Sequence, residues 1–408
     1  MNLPAKVSEI ITVLNDNNYE AFVVGGCVRD TLMGRIPQDF DITTSATPAE
    51  VKLLFKRTVD TGVAHGTVTV LLGSDSFEVT TFRQDGDYFD HRRPSNVTFT
   101  TSLQDDLSRR DFTMNAIAYH PKDGYIDPFG GRNDISSCCI RCVGEPSKRF
   151  DEDALRMLRA VRFSGQLGFE IESATLDAII QHAPSLAYVS AERIRIELAK
   201  LLISNGSGKF ADLLSTGLWE AFDPKSLPYF ITYFESLRTP LAMCNNTLHN
   251  RLTLLMMHMD DTEVLRVLKL LKFDNLTMKT VRILVRGINQ KFFSDPYIVR
   301  KSLGEFNADS LENILYLQEI IASNTRNTEA LDNITAIRRQ IEQIHKDKDA
   351  YTISALAING NILKDLGLAQ GEQIGKTLAF LLDEVCRDPS LNILEHLTIL
   401  SQNFTTNK

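Results

Sequence analysis

The hydrophobic pattern of this chain changes its period near residue 150. Before that point, apolar residues alternate with polar ones at strand spacing, between short helical stretches. Beyond it they recur every three to four residues almost without a break. The first part predicts a helix over 3–14 with Pro4 in its first turn, a strand over 19–24, a short helix over 28–33 and a strand over 40–43. Thr47-Pro48 caps a helix over 49–55, and three β-rich runs follow at 58–61, 67–72 and 76–82. A strand over 115–119 ends the sheet before the turn-rich Asp127-Pro128-Phe129-Gly130-Gly131. The second part predicts helices over 152–167, 174–182 and 191–203, the last opened by Ser190 as N-cap, and no strands in the carboxy-terminal half. The fold class is therefore α+β, a mixed-sheet head followed by an all-helical body and tail.

A chain of 408 residues forms two or more domains with adequate cores. Its 43% hydrophobic and 24% charged content is that of a soluble globular protein. The amino terminus is amphipathic and carries acidic residues, unlike a signal peptide, and no apolar run approaches a membrane span. The six cysteines show no disulfide framework, which fits a reducing cytoplasm; Cys139 and Cys142 lack a second pair and read as packing residues. A net charge of −8 argues mildly against nucleic-acid binding by the whole surface and leaves a local basic stripe open.

The densest chemistry lies in Gly25-Gly26-Cys27-Val28-Arg29-Asp30, followed by Asp39-Phe40-Asp41-Ile42. Along a strand, residues i and i+2 share a face, so Asp39 and Asp41 present two carboxylates side by side while Phe40 and Ile42 face the core. Two anions so close repel unless a cation lies between them, and oxygen-only ligands suit Mg²⁺. A glycine turn entering a helix, with Arg29 one turn in, offers N–H groups and a cation to phosphate. Together these features point to metal-assisted phosphoryl or nucleotidyl transfer. Glu78, in an otherwise apolar and β-branched strand, either adds a third carboxylate or faces solvent on an edge. Arg109-Arg110 can form a guanidinium pair aimed at a triphosphate.

The segment 150–163 places Asp153, Arg156, Arg159 and Arg162 three residues apart, so a helix sets them in one row with a single acid among three arginines. Cytosine and adenine each show an amino donor beside an unprotonated ring nitrogen; uracil and guanine reverse this. A carboxylate beside a guanidinium complements the first pair and opposes the second. Mispairing leaves buried polar groups unmatched, which discriminates by factors on the order of 10⁴.

On these residues the chain resembles the class II tRNA nucleotidyltransferases, the bacterial CCA-adding enzymes of the polymerase-β-like superfamily. Gly25 to Asp30 with Asp39-Phe40-Asp41 is similar to the family's metal and triphosphate motif. Arg109-Arg110-Asp111-Phe112 is similar to its second motif, 85–99 to its flexible loop, Glu152-Asp153-Ala154-Leu155-Arg156 to its amino-acid template, and 190–197 to the helix that braces the template. Beyond Trp219 the likeness thins to Leu356-Ala357-Ile358-Asn359-Gly360, Leu366-Gly367 and Gly371-Glu372-Gln373-Ile374-Gly375 of the tail.

The resemblance implies a nucleotidyltransferase head at 1–148, a neck with the base-recognition helix at 149–222, a body at 223–320 and a tRNA-binding tail at 321–408. It implies a cytoplasmic, Mg²⁺-dependent enzyme that adds C, C and A to tRNA 3′ ends from CTP and ATP, with no membrane partner and with a homodimer left open. Asp39, Asp41 and Glu78 would be catalytic, the first two holding metal; Gly26, Arg29, Arg110, Asp153, Arg156, Arg159 and Arg162 would bind the nucleotide. An A-adding enzyme or bacterial poly(A) polymerase shares the head motifs. The full-length 85–99 segment argues against an enzyme that adds only CC. A non-catalytic RNA-binding protein of this fold would have no use for the repelling Asp pair.

Overall fold

The computed structural model describes residues 1–85, 97–367 and 370–406. They form two compact units, Met1–Phe234 and Glu235–Lys408.

In the first unit, α1 (Ala5–Asp16) precedes β1 (Ala21–Val24), α2 (Gly26–Leu32), β2 (Asp41–Thr44), α3 (Pro48–Leu54), β3 (Thr58–Gly62), β4 (Thr67–Leu72) and β5 (Asp75–Thr81). The short β6 (Arg83–Asp85) and β7 (Val97–Phe99) pair with each other beside the main sheet. After α4 (Leu103–Ser108) come β8 (Ala118–His120), β9 (Gly124–Ile126) and α5 (Gly131–Ser136). The main sheet has seven strands in the order β3-β4-β5-β2-β1-β8-β9. It is mixed: β2 runs parallel to β5, and its other pairs are antiparallel.

The physical reasons are local. Thr47 and Glu50 form a reciprocal capping box with Pro48 in the first turn of α3. Val23, Ile42, Val68, Val70 and Val79 are buried to 1% exposure or less, as central strands require. Phe22 and Phe82 stack at 6.2 Å within a cluster that includes Val24, Leu107, Ala116 and Val143.

Two expectations at the sheet need correction. The strand expected over 115–119 is a 3₁₀ turn at Thr113–Asn115 followed by β8, and β9 continues the sheet beyond it. Asp39 precedes β2 rather than lying in it, and Phe40 is only half-buried while Ile42 is buried. The alternation argument therefore fails at its first member, because strand pairing begins only at Asp41.

The helical part of this unit begins with β10 (Cys139–Ile140), α6 (Pro146–Glu152), α7 (Leu155–Leu167), β11 (Glu170–Ile171), α8 (Ser173–His182) and α9 (Ala191–Leu202). The parallel pair β10–β11 was not foreseen by the helical period. Gly165 permits the close approach of α7 to α9, since a Cβ there would sit 2.6 Å from Leu201 Cδ1. Phe210, Trp219, Phe230 and Phe234 cluster with ring centroids about 5 Å apart, so the apolar packing runs past the expected limit at residue 222.

The second unit is helical throughout its described residues. One core joins Leu284, Leu303, Leu311 and Ile314 to Ile334, Ile337 and Ile344, crossing the expected boundary at 320. The cause is helix Thr328–Asp347, whose apolar face packs back on the preceding helices. A second core gathers Ala350, Leu356, Ile358, Leu363, Leu381, Val385 and Leu397. No helix among the described residues is long and apolar enough to cross a membrane.

Candidate active site

A cleft of about 500 Å³ opens in the first unit, lined by seven arginines and three aspartates. One wall is built from Gly25, Gly26 and Arg29 at the β1–α2 turn with Asp41 at the start of β2. Arg109, Arg110, Asp111 and Asn115 follow α4, and Asp153, Arg156, Arg159, Arg162 and Phe163 come with the α6–α7 segment, with Arg193 from α9. Eight of the ten expected site residues thus share one cavity: Gly26, Arg29, Asp41, Arg110, Asp153, Arg156, Arg159 and Arg162.

The other two, Asp39 and Glu78, do not line it. Asp39 lies near enough to Asp41 for its charge to raise the Asp41 pKa. Glu78 is exposed on β5, and the parallel pairing of Ile42 with Val79 sets it level with Asp41 on the adjacent strand. Strand spacing then separates their Cα atoms by about 4.8 Å, with side chains on the same face.

Gly25 has φ +78°, and a Cβ on it would sit 3.1 Å from Arg110 Nη1 and 3.8 Å from Asp41 Oδ2. The turn, the guanidinium and the carboxylate therefore converge on one small volume. Burial pushes the Asp41 carboxyl up and Asp39 adds to this, while Arg110 opposes both. Water still reaches Asp41 through the open mouth of the cleft. Arg110 donates to Asp106 Oδ2 at 3.3 Å, and its buried Nε has no hydrogen-bond partner. Asp106, wholly buried, also accepts from Arg109 and from the Thr43 hydroxyl on β2. The Arg110 Nη1, beside the glycine turn, is placed for phosphate oxygens.

The expected row of side chains along one helix is corrected. The helix expected over 152–167 breaks at Asp153, which has φ −147° and ψ 101°. Its Oδ1 accepts from the Leu155 N–H at 3.1 Å, a local bond that competes with helix continuation. Asp153 pairs with Arg193 rather than Arg156: Nη1 and Nη2 of Arg193 donate to its two oxygens at 3.2 and 2.8 Å. Arg156 instead donates to Glu152 at 2.8 Å and to the carbonyls of Arg149 and Arg109 at 3.3 and 2.7 Å. Ser190 precedes α9 as expected, although its side chain makes no capping bond.

The positive charge of the row is also compensated, by acids that the row does not contain. Arg159 pairs with Asp111 at 2.6 Å, and Arg162 with Glu197 at 2.5 Å. Burial alone would raise the Asp111 carboxyl, but Arg159, the Asn115 hydrogen bond and Arg156 outweigh it and hold the group at about 2. Burial lowers the Arg162 pKa, Glu197 opposes this, and neighbouring Arg159 reinforces it.

Asn115, which accepts from Arg29 at 2.8 Å and donates to Asp111 at 3.1 Å, escaped the sequence reading, as did the pairings of Arg193 and Glu197. The usable signal was a charged pair four apart, Arg193 and Glu197, whose acid falls on the same buried helix face as Ile194, Leu198 and Leu201. The 85–99 loop falls mostly outside the described residues. Cys142 is buried and Cys139 half-buried, with no disulfide among the described cysteines.

A mixed sheet carrying a carboxylate beside a glycine turn, faced by an arginine-rich helical wall, defines a nucleotidyltransferase. Residues 21–141 match the model of the poly(A) polymerase head domain. Residues 168–227 match the "Probable RNA and SrmB-binding site of polymerase A", and 245–398 match a second-domain model of tRNA nucleotidyltransferases. The chain is 38% identical over 385 residues to the CCA-adding enzyme of Enterococcus faecalis, covering 93% of this chain and 90% of that one. It is 39% identical over 392 residues to that of Lactiplantibacillus plantarum, covering 94% and 93%. The solved structure of the Bacillus stearothermophilus CCA-adding enzyme in complex with CTP superposes with a TM-score of 0.81 at 32% identity, over 100% of this chain and 99% of that one. The chain belongs to the CCA-adding enzyme family.

Nucleotidyltransferases of this kind work with a divalent metal. The residues present fit one. Asp41 is raised by burial and by Asp39, a repulsion that a bound cation relieves. Among the described residues no group of three or more His, Cys, Asp or Glu is placed to hold a metal. Two carboxylates with substrate phosphates and water nonetheless make a sufficient set for a small hard cation.

Proposed function

We infer that this chain adds C, C and A to the 3′ end of tRNA, taking the nucleotides from CTP and ATP without a nucleic-acid template and releasing pyrophosphate. The observation that carries the reading is the convergence of Asp41, Arg110 and the Gly25 turn, in the same cleft as Asp153 and Arg156. The near full-length relationship to CCA-adding enzymes supports it.

In this reading Asp39 and Asp41 hold Mg²⁺, with Glu78 as a further carboxylate beside them. A metal held there would supply Lewis-acid polarisation of phosphate and hydroxyl oxygens. The tRNA 3′-oxygen attacks the α-phosphorus and loses its proton; the new phosphodiester bond forms, the α–β bridging bond breaks and pyrophosphate leaves. Gly26, Arg29 and Arg110 cradle the triphosphate and offset its charge. Asp153 accepts from the exocyclic amino group of cytosine or adenine. Arg156, with three of its five N–H groups engaged by the protein, offers the rest to the ring nitrogen or O2. Arg159 and Arg162 flank the base. Residues 1–148 act as head, 149–222 as neck, and 223–320 and 321–408 as body and tRNA-binding tail. The reaction belongs in the cytoplasm.

The test is incubation with tRNA ending at its discriminator base, with CTP, ATP or both, followed by sequencing of the products. The expected product with both nucleotides ends in CCA. Addition of A alone would replace this reading by an A-adding enzyme or poly(A) polymerase.

A further inference from the structure

We propose that Phe163 is a positioning residue that holds the phosphate-side Arg29 and the base-side Arg159 and Arg162 at a set spacing around the cleft. Arg162 lies over the Phe163 ring with its guanidinium carbon 3.7 Å from the centroid; Arg29 and Arg159 lie at 5.0 and 5.3 Å. All three fall within the distance at which a ring quadrupole attracts a cation. The ring is itself fixed. It is 5% exposed and packs edge-on against Phe112 at 5.9 Å and 87°, and Phe112 is wholly buried.

Three guanidiniums around one ring repel one another. Each is tethered on its far side: Arg29 to Asp30 and Asn115, Arg159 to Asp111, Arg162 to Glu197. The tethers are themselves linked, since Asn115 also donates to Asp111 and Glu197 lies 3.9 Å from Arg159. The ring adds to them a contact shared by all three guanidiniums, which draws each towards a common centre. An aliphatic side chain of similar size would fill the volume without that attraction, and the arginines would lose the shared contact.

The consequence rests on the nucleotide-transfer reading. Triphosphate and base belong to one covalent ligand, so a shift of Arg29 relative to Arg159 and Arg162 makes it harder to engage both ends at once and weakens nucleotide binding before it affects the bond-making step. Phe163 acts through the arginines.

The test replaces Phe163 in the full chain with phenylalanines carrying one, two and three ring fluorines. These preserve shape while draining the π-face; Phe163→Leu is made alongside. KM and kcat for CTP and ATP are measured with tRNA, binding of CTP alone is measured by calorimetry, and melting curves check folding. The expected result is a graded rise in KM and in the CTP dissociation constant, reaching about two- to thirty-fold, with kcat and melting temperature little changed. A flat response across the well-folded fluorinated series overturns the proposal and leaves Phe163 as packing. If Phe163→Leu fails to fold, the fluorinated series still decides. A wild-type chain that binds CTP but transfers nothing to tRNA fails the parent reading instead, and the binding series then judges Phe163 separately.

Discussion

Arg193 grips Asp153 across forty residues of sequence, donating from both terminal nitrogens to both carboxylate oxygens. The acid therefore owes its orientation to a neighbouring helix rather than to the register of its own. In Asp153→Ala, UTP and GTP should gain on CTP and ATP by about 1–3 kcal/mol of lost discrimination. Arg193→Ala should move selectivity the same way, because the freed carboxylate no longer faces the base edge. The double variant should be no worse than Asp153→Ala. Competition among all four nucleotides, with melting curves, measures this; unchanged preference in folded variants would refute base reading by Asp153.

Asp39→Ala and Asp41→Ala should each reduce nucleotide addition below about one thousandth of wild type, in line with the several kcal/mol a bound cation supplies. Binding of tRNA should persist, since the lesion is confined to metal ligation. Product gels and filter binding separate the two effects. Substantial Mg²⁺-dependent turnover in either variant would remove that residue from the metal site.

Gly25→Ala should slow addition about tenfold or more. The residue must keep φ +78° and would place a methyl group 3.1 Å from Arg110 Nη1. With ψ at −133° this is backbone that only glycine adopts readily, costing an L-residue roughly 1–3 kcal/mol, so a fall in melting temperature accompanies the kinetic loss. Wild-type rates in Gly25→Ala would show that Arg110 need not stand where it does.

Asp111 gives a pH signature. Its carboxyl is held at about 2, below the ordinary 3.8. A depressed folded-state pKa contributes stability above the unfolded value and loses it as pH falls through the folded one, so the contribution is full above about pH 4 and fades towards pH 2. Its size is about 2 kcal/mol on the usual conversion. The stability gap between wild type and Asp111→Asn, read by denaturant titration, should therefore narrow as pH drops from 4 towards 2. A gap that stays constant would mean Asp111 is not charged against Arg159 in the fold.

The elements whose signals are local were legible in the sequence. Thr47-Pro48 announces α3, and the β-branched runs announce β4 and β5 within a residue. The candidate site was legible as a set of residue types. What could not be read was partnership. Asp153 and Arg156 have helical spacing, yet Asp153 accepts from the Leu155 N–H where α7 begins and turns to Arg193, while Arg156 turns to Glu152. The acids that neutralise Arg159 and Arg162 stand 48 and 35 residues away. Spacing rules describe one helix at a time, and these pairs are made by tertiary packing. Phe163 was invisible for the same reason: in a helical period it reads only as core.

The two-residue ladder of β10 and β11 joins Cys139-Ile140 to Glu170-Ile171, and so knots the chain at the entrance and exit of α6 and α7. Those helices hang from a closed loop of fixed mouth, whose closure entropy is met during folding. The segment carrying Asp153 and Arg156 is thus shaped before any nucleotide arrives, and binding energy need not be diverted to ordering it. Successive nucleotides of different size meet the same prepared edge.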